Sequence, residues 1–426
     1  MHYDLISLSN SSPEDIARNV GLPDRLLPYL PTVETAKVGS HLGFAAAPFA
    51  DPIDNIELMR RFIEHNPDAT PEQIKASEKM IAHSGVKIRH VSPPLSADYP
   101  IETVLEEAEA IGAFLTRTAM RERGWEKIDW LKLTSATLPN GMSERVLARA
   151  GLNNARASDD RIACAASLVA FINAITNPDL ANTRGIVLAL EQLTYLETSR
   201  MYQDQLAVAA LFGNNNVAMT VNTGKFKPIA WKIRIIPDGG VIQVRKQYQV
   251  EPNAHLEVPE HLHLEFVDGG EAITEVSDRG LLIDLKEPDE SDLLTKMHNQ
   301  EVADFFIEVF PDTVLDTLEE EPEEYADKPI VAVGFHDPSK FVSIGISRNL
   351  RDKANLRGER IQRRIRELPP HGFLLDKMDR PNCSSATLLQ KLLFLARQGK
   401  LPPYGLWLLG ASGIGSGNAV MECELA

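Results

Sequence analysis

Short, almost wholly apolar segments alternate with helical patterns along most of this 426-residue chain. Residues 185–190 and 330–333 are examples that contain no polar side chain. Strands of this composition are buried on both faces, as in a sheet covered by helices. Residues 101–119 repeat apolar side chains at three- and four-residue spacings, which predicts an amphipathic helix. The alternation predicts an α/β protein built in layers.

The alternation occurs twice along the chain. Residues 1–225 contain one series of apolar strands and helices, and residues 226–426 contain a second series in a similar order. A chain of this length can form two medium-sized units packed together. We therefore expect two structurally similar halves, with the boundary between them near residue 225.

Composition excludes several classes of function. The net charge of -16 opposes nucleic-acid binding, because neutralising phosphates requires a basic surface. The sequence contains no apolar run long enough to cross a bilayer, and residues 1–5 include an early acid and no basic segment before an apolar stretch, so neither a secretory signal nor a membrane partner is expected. Three scattered cysteines are too few for a disulfide framework. A cytoplasmic protein with reduced cysteines is expected.

Cys164 stands at the predicted start of a helix, immediately before the apolar run 165–172. Unpaired N–H groups and the helix dipole stabilise a thiolate at such a position, which is expected to lower the pKa of the thiol. A thiolate is the nucleophile that thioester exchange requires. Cys164 is therefore a candidate nucleophile, with a plain buried cysteine as the alternative.

Two other polar residues stand at the ends of predicted elements. His336 follows the apolar strand 330–335, and open α/β sheets build their sites at the carboxyl ends of strands. Asn382 precedes a predicted helix, where a turn or N-cap residue is the alternative. The glycine-rich segment 410–417 either makes a tight turn or brings backbone N–H groups close to an oxyanion.

Charge is unevenly distributed near the end of the chain. The acidic run 319–324 is expected to be a solvated loop or helix end. The segment 348–366 contains eight Arg and Lys residues and only two acids. It is either a solvated helix face or a docking surface for an acidic or phosphorylated partner.

Other candidate sites are weaker. His261 and His263 lie on one face of a predicted strand, but no third ligand is close in sequence, so no metal site is expected. Glu191 follows a buried strand and is expected to be structural.

Several short segments share one resemblance. They are the Gly-Val-Lys-Ile-Arg segment 85–89, the Thr-Ser-Ala-Thr segment 134–137, the Ala-Cys-Ala segment 163–165, the Leu-Phe-Gly segment 211–213, the His336 strand end, the Asn-Cys-Ser-Ser-Ala-Thr segment 382–387 and the closing glycine-rich segment 409–419. In these motifs and their order, the chain resembles the ketoacyl synthase III family of the thiolase superfamily. The resemblance covers most of the chain beyond residue 80.

The resemblance implies a thiolase-like dimer of two duplicated halves arranged as α/β/α/β/α layers. It also implies a catalytic triad of Cys164, His336 and Asn382, with the oxyanion hole formed by backbone N–H groups of Cys164 and of Ser412 or Gly413. The cysteine would take an acyl group from an acyl-CoA or an acyl carrier protein thioester. No cofactor is implied besides that thioester substrate.

Four departures from the family pattern stand out. The long region 237–294 has no clear counterpart in the family. Asn214, Asn215 and Asn216 replace later glycines of a family loop, although asparagine tolerates left-handed backbone. Pro381 precedes Asn382 where glycine is usual. The stretch from His336 to Asn382 is unusually long, and a second register would place residues 352–357 on the histidine motif. That register loses the histidine and the buried strand before it, so His336 is preferred.

Three functions remain open at this stage. The first is a condensing enzyme in which the acyl group on Cys164 undergoes decarboxylative Claisen condensation. The second is an acyltransferase that delivers the acyl group to an oxygen or nitrogen nucleophile. The third is a non-catalytic partner subunit of a heteromeric synthase, which would make the dimer a heterodimer with a homologous subunit. Arg360, Arg363 and Arg364 are the residues predicted to dock a carrier protein or coenzyme A. The acyl chain, the acceptor and the pathway are not specified by these motifs.

Overall fold

The secondary structure is given by a computed structural model, which describes residues 11–92, 100–135, 137–160, 163–191, 202, 206–235, 242–244, 264–266, 295–297, 299–336, 338–369, 380–413 and 417–425. The helices are α1 (Pro13–Asn19), α2 (Asn55–His65), α3 (Pro71–Ser84), α4 (Ile101–Glu122), α5 (Met142–Arg149), α6 (Ala166–Thr176), α7 (Leu206–Leu211), α8 (Asn299–Glu319), α9 (Lys340–Ala354), α10 (Glu359–Arg366) and α11 (Ala386–Arg397). The strands are β1 (Glu34–Val38), β2 (Leu42–Ala47), β3 (Asp51–Asp54), β4 (Ile88–Val91), β5 (Trp130–Thr134), β6 (Arg156–Asp160), β7 (Arg184–Glu191), β8 (Asn215–Asn222), β9 (Phe226–Ile235), β10 (Ile242–Val244), β11 (Leu264–Phe266), β12 (Thr295–Met297), β13 (Ile330–Phe335), β14 (Gly405–Gly413) and β15 (Gly417–Leu425).

Local sequence signals set the ends of helix α3. The Thr70 hydroxyl accepts the N–H of Gln73, and the Gln73 side chain accepts the N–H of Thr70 in return, which is a capping box. Pro71 occupies the first helical position, where its missing N–H costs nothing. Gly85 ends the helix with φ +77, a left-handed conformation that glycine adopts without strain.

The first sheet has six strands in the order β1-β2-β8-β7-β5-β6. Strands β5, β6 and β7 run parallel to one another, whereas β8 is antiparallel to both β7 and β2. From Gly185 to its end, β7 is buried on both faces, as its apolar sequence predicts.

The second sheet has five strands in the order β11-β9-β15-β14-β13. Strands β13 and β14 are parallel, and β15 is antiparallel to β14 and to β9. The first sheet takes its strands from residues 34–222, and the second from residues 226–425. The region 237–294 contributes β10 and β11, and its remaining residues lie outside the described part.

Helices α6 and α11 form the layer between the two sheets. Phe171 of α6 and Leu389 of α11 share one core with Met219 of the first sheet and Trp407 of the second. Helix α4 packs on the outer face of the first sheet, and α8 and α9 pack on the outer side of the second. The α/β/α/β/α layering predicted from the sequence is confirmed.

Candidate active site

Cys164 lies in a 3₁₀ turn, Ala163–Ala165, that leads directly into α6. Its side chain is half-buried, and the thiol donates a hydrogen bond to the Oγ of Ser384, 3.6 Å from Sγ. The turn lies against β14 of the second sheet. The candidate nucleophile thus stands at the N-terminal end of a helix, as the sequence predicts, and meets a residue of the second half.

The surroundings of Cys164 oppose ionisation of its thiol. Burial raises the pKa of the thiol to about 12; the hydrogen bond to Ser384 acts in the opposite direction, and the charge of Glu191 adds to the rise. The lowered pKa expected at a helix N-terminus is therefore wrong, because the cost of burying a charge exceeds the stabilisation by N–H groups. The thiol is protonated at neutral pH, so a base must accept its proton when the sulfur attacks.

His336 follows β13 and is almost fully buried. Its backbone N–H donates to the carbonyl of Gly410, and its Nδ1 lies 2.8 Å from the carbonyl oxygen of Ser412. Since a carbonyl only accepts, this contact assigns a proton to Nδ1. In the neutral ring Nε2 is then the nitrogen that can accept a proton as a base, and once protonated it can donate to Oδ1 of Asn382, 3.4 Å away.

Asn382 lies beside His336, with its Oδ1 3.4 Å from the Nε2 of the histidine. The same Oδ1 accepts the N–H of Ser384 at 3.0 Å and the hydroxyl of Thr387 at 2.9 Å. These two donors fix the orientation of the amide. The Nδ2 group is therefore the hydrogen-bond donor that Asn382 can offer to a substrate.

The backbone of Asn382 is held against the segment after α7. Its N–H donates to the carbonyl of Leu211, and its own carbonyl accepts the N–H of Gly213. A Cβ at Gly213 would lie 2.6 Å from the ring of Pro381, so the glycine allows this close approach. Pro381, which stands where glycine is usual in the family pattern, is therefore accommodated because residue 213 is a glycine.

The asparagines that replace the family's glycines do not need a left-handed backbone. Asn215 and Asn216 belong to β8, and positive φ among the described non-glycine residues occurs elsewhere. The side chain of Asn214 donates to Ser92 at 2.6 Å, and that of Asn216 donates to the carbonyl of Ala47 at 3.3 Å. The asparagine segment 214–216 is therefore held by side-chain hydrogen bonds in a conformation that leads directly into a strand, and it does not use the left-handed turn that asparagine would tolerate.

One line of contacts joins the three triad candidates. Cys164 contacts Ser384, Ser384 donates to Asn382, and Asn382 contacts His336. The three candidates come from the start of α6, the end of β13 and the turn before α11. The structure therefore brings together residues that are separated by more than 200 positions in the chain.

Ser412 and Gly413 are the last two residues of β14. The carbonyl of Ser412 faces His336, and the Ser412 hydroxyl donates to the side chain of Asn418. Both residues are at the same end of the sheet as His336. Their role as N–H donors to an oxyanion stays a prediction, and residues 414–416 lie outside the described part.

The sequence interpretation missed the part that Glu191 plays at this site. Its carboxylate accepts the N–H of Ser385 at 3.2 Å and the hydroxyl of Ser385 at 2.6 Å. Thr134, at the end of β5, donates to the same hydroxyl at 3.3 Å. Glu191 thereby ties the end of β7 to the start of α11 and places a buried carboxylate near Cys164. The sequence contains a signal for this role of Glu191, because a glutamate at the end of a wholly apolar strand is rarely buried without a partner.

Most of the basic segment is paired within the chain. Arg360 donates to the carbonyls of Leu318 and Glu319 at 3.1 and 3.0 Å, and Arg363 forms an ion pair with Asp327. Arg348 and Arg351 of α9 are exposed. The solvent-exposed arginines of this segment therefore differ in part from Arg360, Arg363 and Arg364, which the sequence predicts as docking residues.

Arg364 is buried and lies between the carboxylates of Glu321 and Glu422. This placement removes Arg364 from any docking surface. It also corrects the expectation that the whole acidic run 319–324 is solvated, because Glu321 has turned inward to pair with the guanidinium. Burial raises the pKa of Glu321, and burial together with the charge of Glu321 raises the pKa of Glu422 to about 8.

His261 and His263 lie outside the described residues. Within the described ranges, no three His, Cys, Asp or Glu side chains are grouped as metal ligands would be. None of the helices given above is both long and apolar enough to cross a membrane.

No family model matches the chain, and no curated protein matches it by sequence. Solved structures do match. The 3-oxoacyl-(acyl carrier protein) synthase III of Pseudomonas aeruginosa PAO1 has a TM-score of 0.59 at 16% identity, over 92% of this chain and 98% of that one. The 1,3,6,8-tetrahydroxynaphthalene synthase of Streptomyces coelicolor A3(2), a type III polyketide synthase, has a TM-score of 0.60 at 16% identity, over 92% and 97%. The chain has the thiolase fold.

A third thiolase-fold structure is the priming β-ketosynthase of the R1128 polyketide pathway, with a TM-score of 0.57 at 19% identity, over 92% and 97%. The thiolase-like fold that the resemblance to the ketoacyl synthase III family implies is thereby confirmed. At 16–19% identity the likeness shows the thiolase fold alone. A reaction has to follow from the side chains at the site.

Proposed function

We propose that the chain is a condensing enzyme of the ketoacyl synthase III type. Cys164 takes an acyl group from a thioester, and that group is joined to a malonyl-type partner as the partner loses carbon dioxide. The observation that carries the proposal is the line of contacts from Cys164 through Ser384 and Asn382 to His336. The likeness to solved ketoacyl and polyketide synthases also supports it.

In the first step, the sulfur of Cys164 attacks the carbonyl carbon of the donor thioester. Nε2 of His336 accepts the thiol proton and returns it to the departing thiolate, which leaves as a free thiol. Negative charge develops on the carbonyl oxygen, and backbone N–H groups near Cys164 and Ser412 are the proposed donors to it.

In the second step, the malonyl-type thioester loses carbon dioxide, and the resulting enolate carbon attacks the acyl group on Cys164. A carbon–carbon bond forms and the bond to sulfur breaks, which leaves a thiolate that takes a proton from solvent. The Nδ2 of Asn382 donates to the enolate oxygen, because Oδ1 is already occupied by Ser384 and Thr387. A doubly protonated His336 would add a second donor.

One observation favours a second candidate, an acyltransferase to an oxygen or nitrogen nucleophile. The contact of Nδ1 with Ser412 leaves Nε2 of the neutral His336 ring as an acceptor. An acceptor at that position suits a general base that removes a proton from an incoming hydroxyl or amine. The presence of an oriented amide at Asn382 favours condensation.

The proposed partners are an acyl-CoA or an acyl carrier protein, and a second subunit that makes a homodimer or a heterodimer. Exposed Arg348 and Arg351 on α9, the helix that follows His336, suit an acidic carrier or the phosphates of coenzyme A. Arg360 and Arg363 contribute less, because each already has partners within the chain. A cytoplasmic location belongs to the same proposal.

The test is the intact mass of the protein after incubation with a panel of acyl-CoA and carrier-bound thioesters, with Cys164→Ser as control. An acyl-sized gain on the wild type that the variant lacks supports the first step. Malonyl-CoA is then added, and release of carbon dioxide together with loss of the acyl mass supports condensation. Acyl loss to added alcohols or amines without decarboxylation favours the acyltransferase. If no donor loads, the non-catalytic subunit becomes the better account.

A further inference from the structure

Ser384 has a backbone conformation that is unusual for serine. Its φ is +47, which lies in the left-handed region that L side chains other than Asn and Asp rarely adopt. Phe49 and Asn182 are the other described non-glycine residues with positive φ; Phe49 packs against Phe114, and Asn182 lies just before β7. Strain of this kind persists where surrounding contacts hold it, and it often occurs at functional sites.

The turn that contains Ser384 is fixed on both sides. Its N–H donates to Oδ1 of Asn382 at 3.0 Å, and its carbonyl accepts the N–H of Thr387 at 3.1 Å. The next residue, Ser385, is bound twice by Glu191. With these groups occupied, the left-handed backbone directs the buried Ser384 side chain toward Cys164, where Oγ and Sγ are 3.6 Å apart.

The hydroxyl of Ser384 has Cys164 as its hydrogen-bond partner among the described residues. A glycine would fit the same backbone without strain, but it would lack the hydroxyl. The chain therefore has a strained residue at a position from which its hydroxyl contacts the sulfur of Cys164.

We propose that Ser384 is a catalytic residue that stabilises the thiolate of Cys164. In the resting site the thiol donates to Oγ of Ser384. When the sulfur loses its proton, the hydroxyl rotates and donates to it instead, because a hydroxyl can do either. The proton itself passes to His336, and no bond of Ser384 breaks. The proposal rests on the proposed function, since only a thiol-based reaction needs this thiolate.

The other groups near the sulfur make such a donor necessary. Glu191 at the end of β7 carries like charge and, with burial, opposes ionisation. His336 at the end of β13 and the buried Cys383 beside Ser384 are further titratable groups at the ends of the elements that meet here. The Ser384 hydrogen bond and a backbone hydrogen bond at Cys164 are the two contacts that favour the thiolate.

The test is the rate of alkylation of Cys164 by iodoacetamide, followed by peptide mass and using the full chain without any acyl donor. Ser384→Gly removes the hydroxyl and relieves the left-handed strain, whereas Ser384→Ala removes the hydroxyl alone. Both are expected to react about tenfold more slowly below the pKa of the thiol, the effect of about one pKa unit on the thiolate fraction. The matched control is Asn182→Gly, which relieves a left-handed position outside the site and is expected to leave the rate unchanged.

The direction of the change separates this role from a structural one. Removing a side chain that merely packs against Cys164 would open the site and raise the alkylation rate or leave it unchanged, and either result in both variants would overturn the proposal. A thermal unfolding midpoint for Ser384→Gly at or above that of the wild type shows that the fold is intact. Because alkylation needs no donor thioester, its outcome is separate from whether the enzyme loads an acyl group.

Discussion

The two halves of the molecule repeat one strand order. In the first sheet the central order is β2-β8-β7-β5, and in the second it is β9-β15-β14-β13. The strand directions also agree. In each series the second strand is antiparallel to the first and to the third, and the fourth strand is parallel to the third. In each half, the helix of the central layer precedes the third strand of this series, α6 before β7 and α11 before β14.

Equivalent places in the two halves carry different chemistry. The start of α6 presents Cys164, whereas the turn before α11 presents Asn382 and Ser384. The end of β7 carries Glu191, whereas the end of β14 carries Ser412. Duplication thus supplies one geometry twice, and the two copies meet with the proposed nucleophile on one side and its proposed partners on the other.

The largest expected effect comes from comparing Cys164, at the start of α6, with Asn382, in the turn before α11. Cys164→Ala should abolish acyl loading, because it removes the proposed nucleophile and the other two cysteines, Cys383 and Cys423, are fully buried. Asn382→Asp keeps the oxygen that accepts from Ser384 but loses Nδ2, so it should still load and should condense about 10²–10³-fold more slowly, the usual cost of one lost donor. Intact mass measures loading, and carbon dioxide release measures condensation. Equal loss of both steps in both variants would contradict this division of roles.

The next effect concerns the ends of β5 and β13, where Ser135 and His336 stand at equivalent places. His336→Ala should slow loading about 10²–10⁴-fold, because the protonated thiol loses its base. Ser135→Ala is the matched change in the first half. It loses hydrogen bonds to the backbone of Thr137 and Leu138, so it should lower the thermal midpoint and leave loading close to wild type. Loading rates and thermal unfolding of both variants test this pair.

A third comparison concerns buried charge. In the first half Asp160 has its own cation, Lys132, whereas Glu321 and Glu422 of the second half share Arg364. Burial raises the pKa of Glu422 from 4.5 to about 8, so the folded state binds more protons than the unfolded state between these values. The free energy of unfolding should therefore fall as the pH rises from 4.5 to about 8.

Glu422→Gln removes this titration, and its free energy of unfolding should fall less over the same interval. Glu424→Gln, on the same strand and half-exposed, is the control that should retain the wild-type slope. Denaturant unfolding at several pH values measures both. A wild-type slope in Glu422→Gln would show that the pair does not titrate there.

A smaller effect is expected from Glu191→Gln. Gln keeps an oxygen that accepts from Ser385 but removes the charge that raises the pKa of Cys164. The alkylation rate of Cys164 should rise about threefold to tenfold, as expected for half to one pKa unit. This is the opposite direction to the change expected at Ser384. A slower rate would mean that the carboxylate supports the thiolate through Ser385.

The smallest effect concerns the surface of α9. The double change Arg348→Glu and Arg351→Glu should raise the KM for carrier-bound substrate about twofold to fivefold at low salt, since exposed charges act mainly on association. Arg18→Glu on α1 is the control, because its side chain is also exposed and lies on the first half. An unchanged KM at low salt in the α9 variant would remove this surface from the proposal.

Much of the fold follows from local signals. The helix predicted over 101–119 is α4 (Ile101–Glu122), and the apolar run at 330–335 is β13 (Ile330–Phe335). Periodicity of 3.6 and continuous apolar runs each reflect a burial pattern that one segment carries by itself. Cys164, His336 and Asn382 were identifiable for the same reason, because each stands where one element begins or ends.

The remaining features of the fold and of the candidate site depend on contacts between segments that are distant in the chain. The sequence determined the α/β layering and the positions of the three candidate triad side chains along their own elements. Only the tertiary structure placed Ser384 against Cys164, tied Glu191 to Ser385 and buried Arg364 between two glutamates. It also reversed the expected direction of the pKa of Cys164, because desolvation depends on what surrounds a side chain. Neighbours that lie 43 to 220 residues away in the chain are set by packing, which no local pattern records.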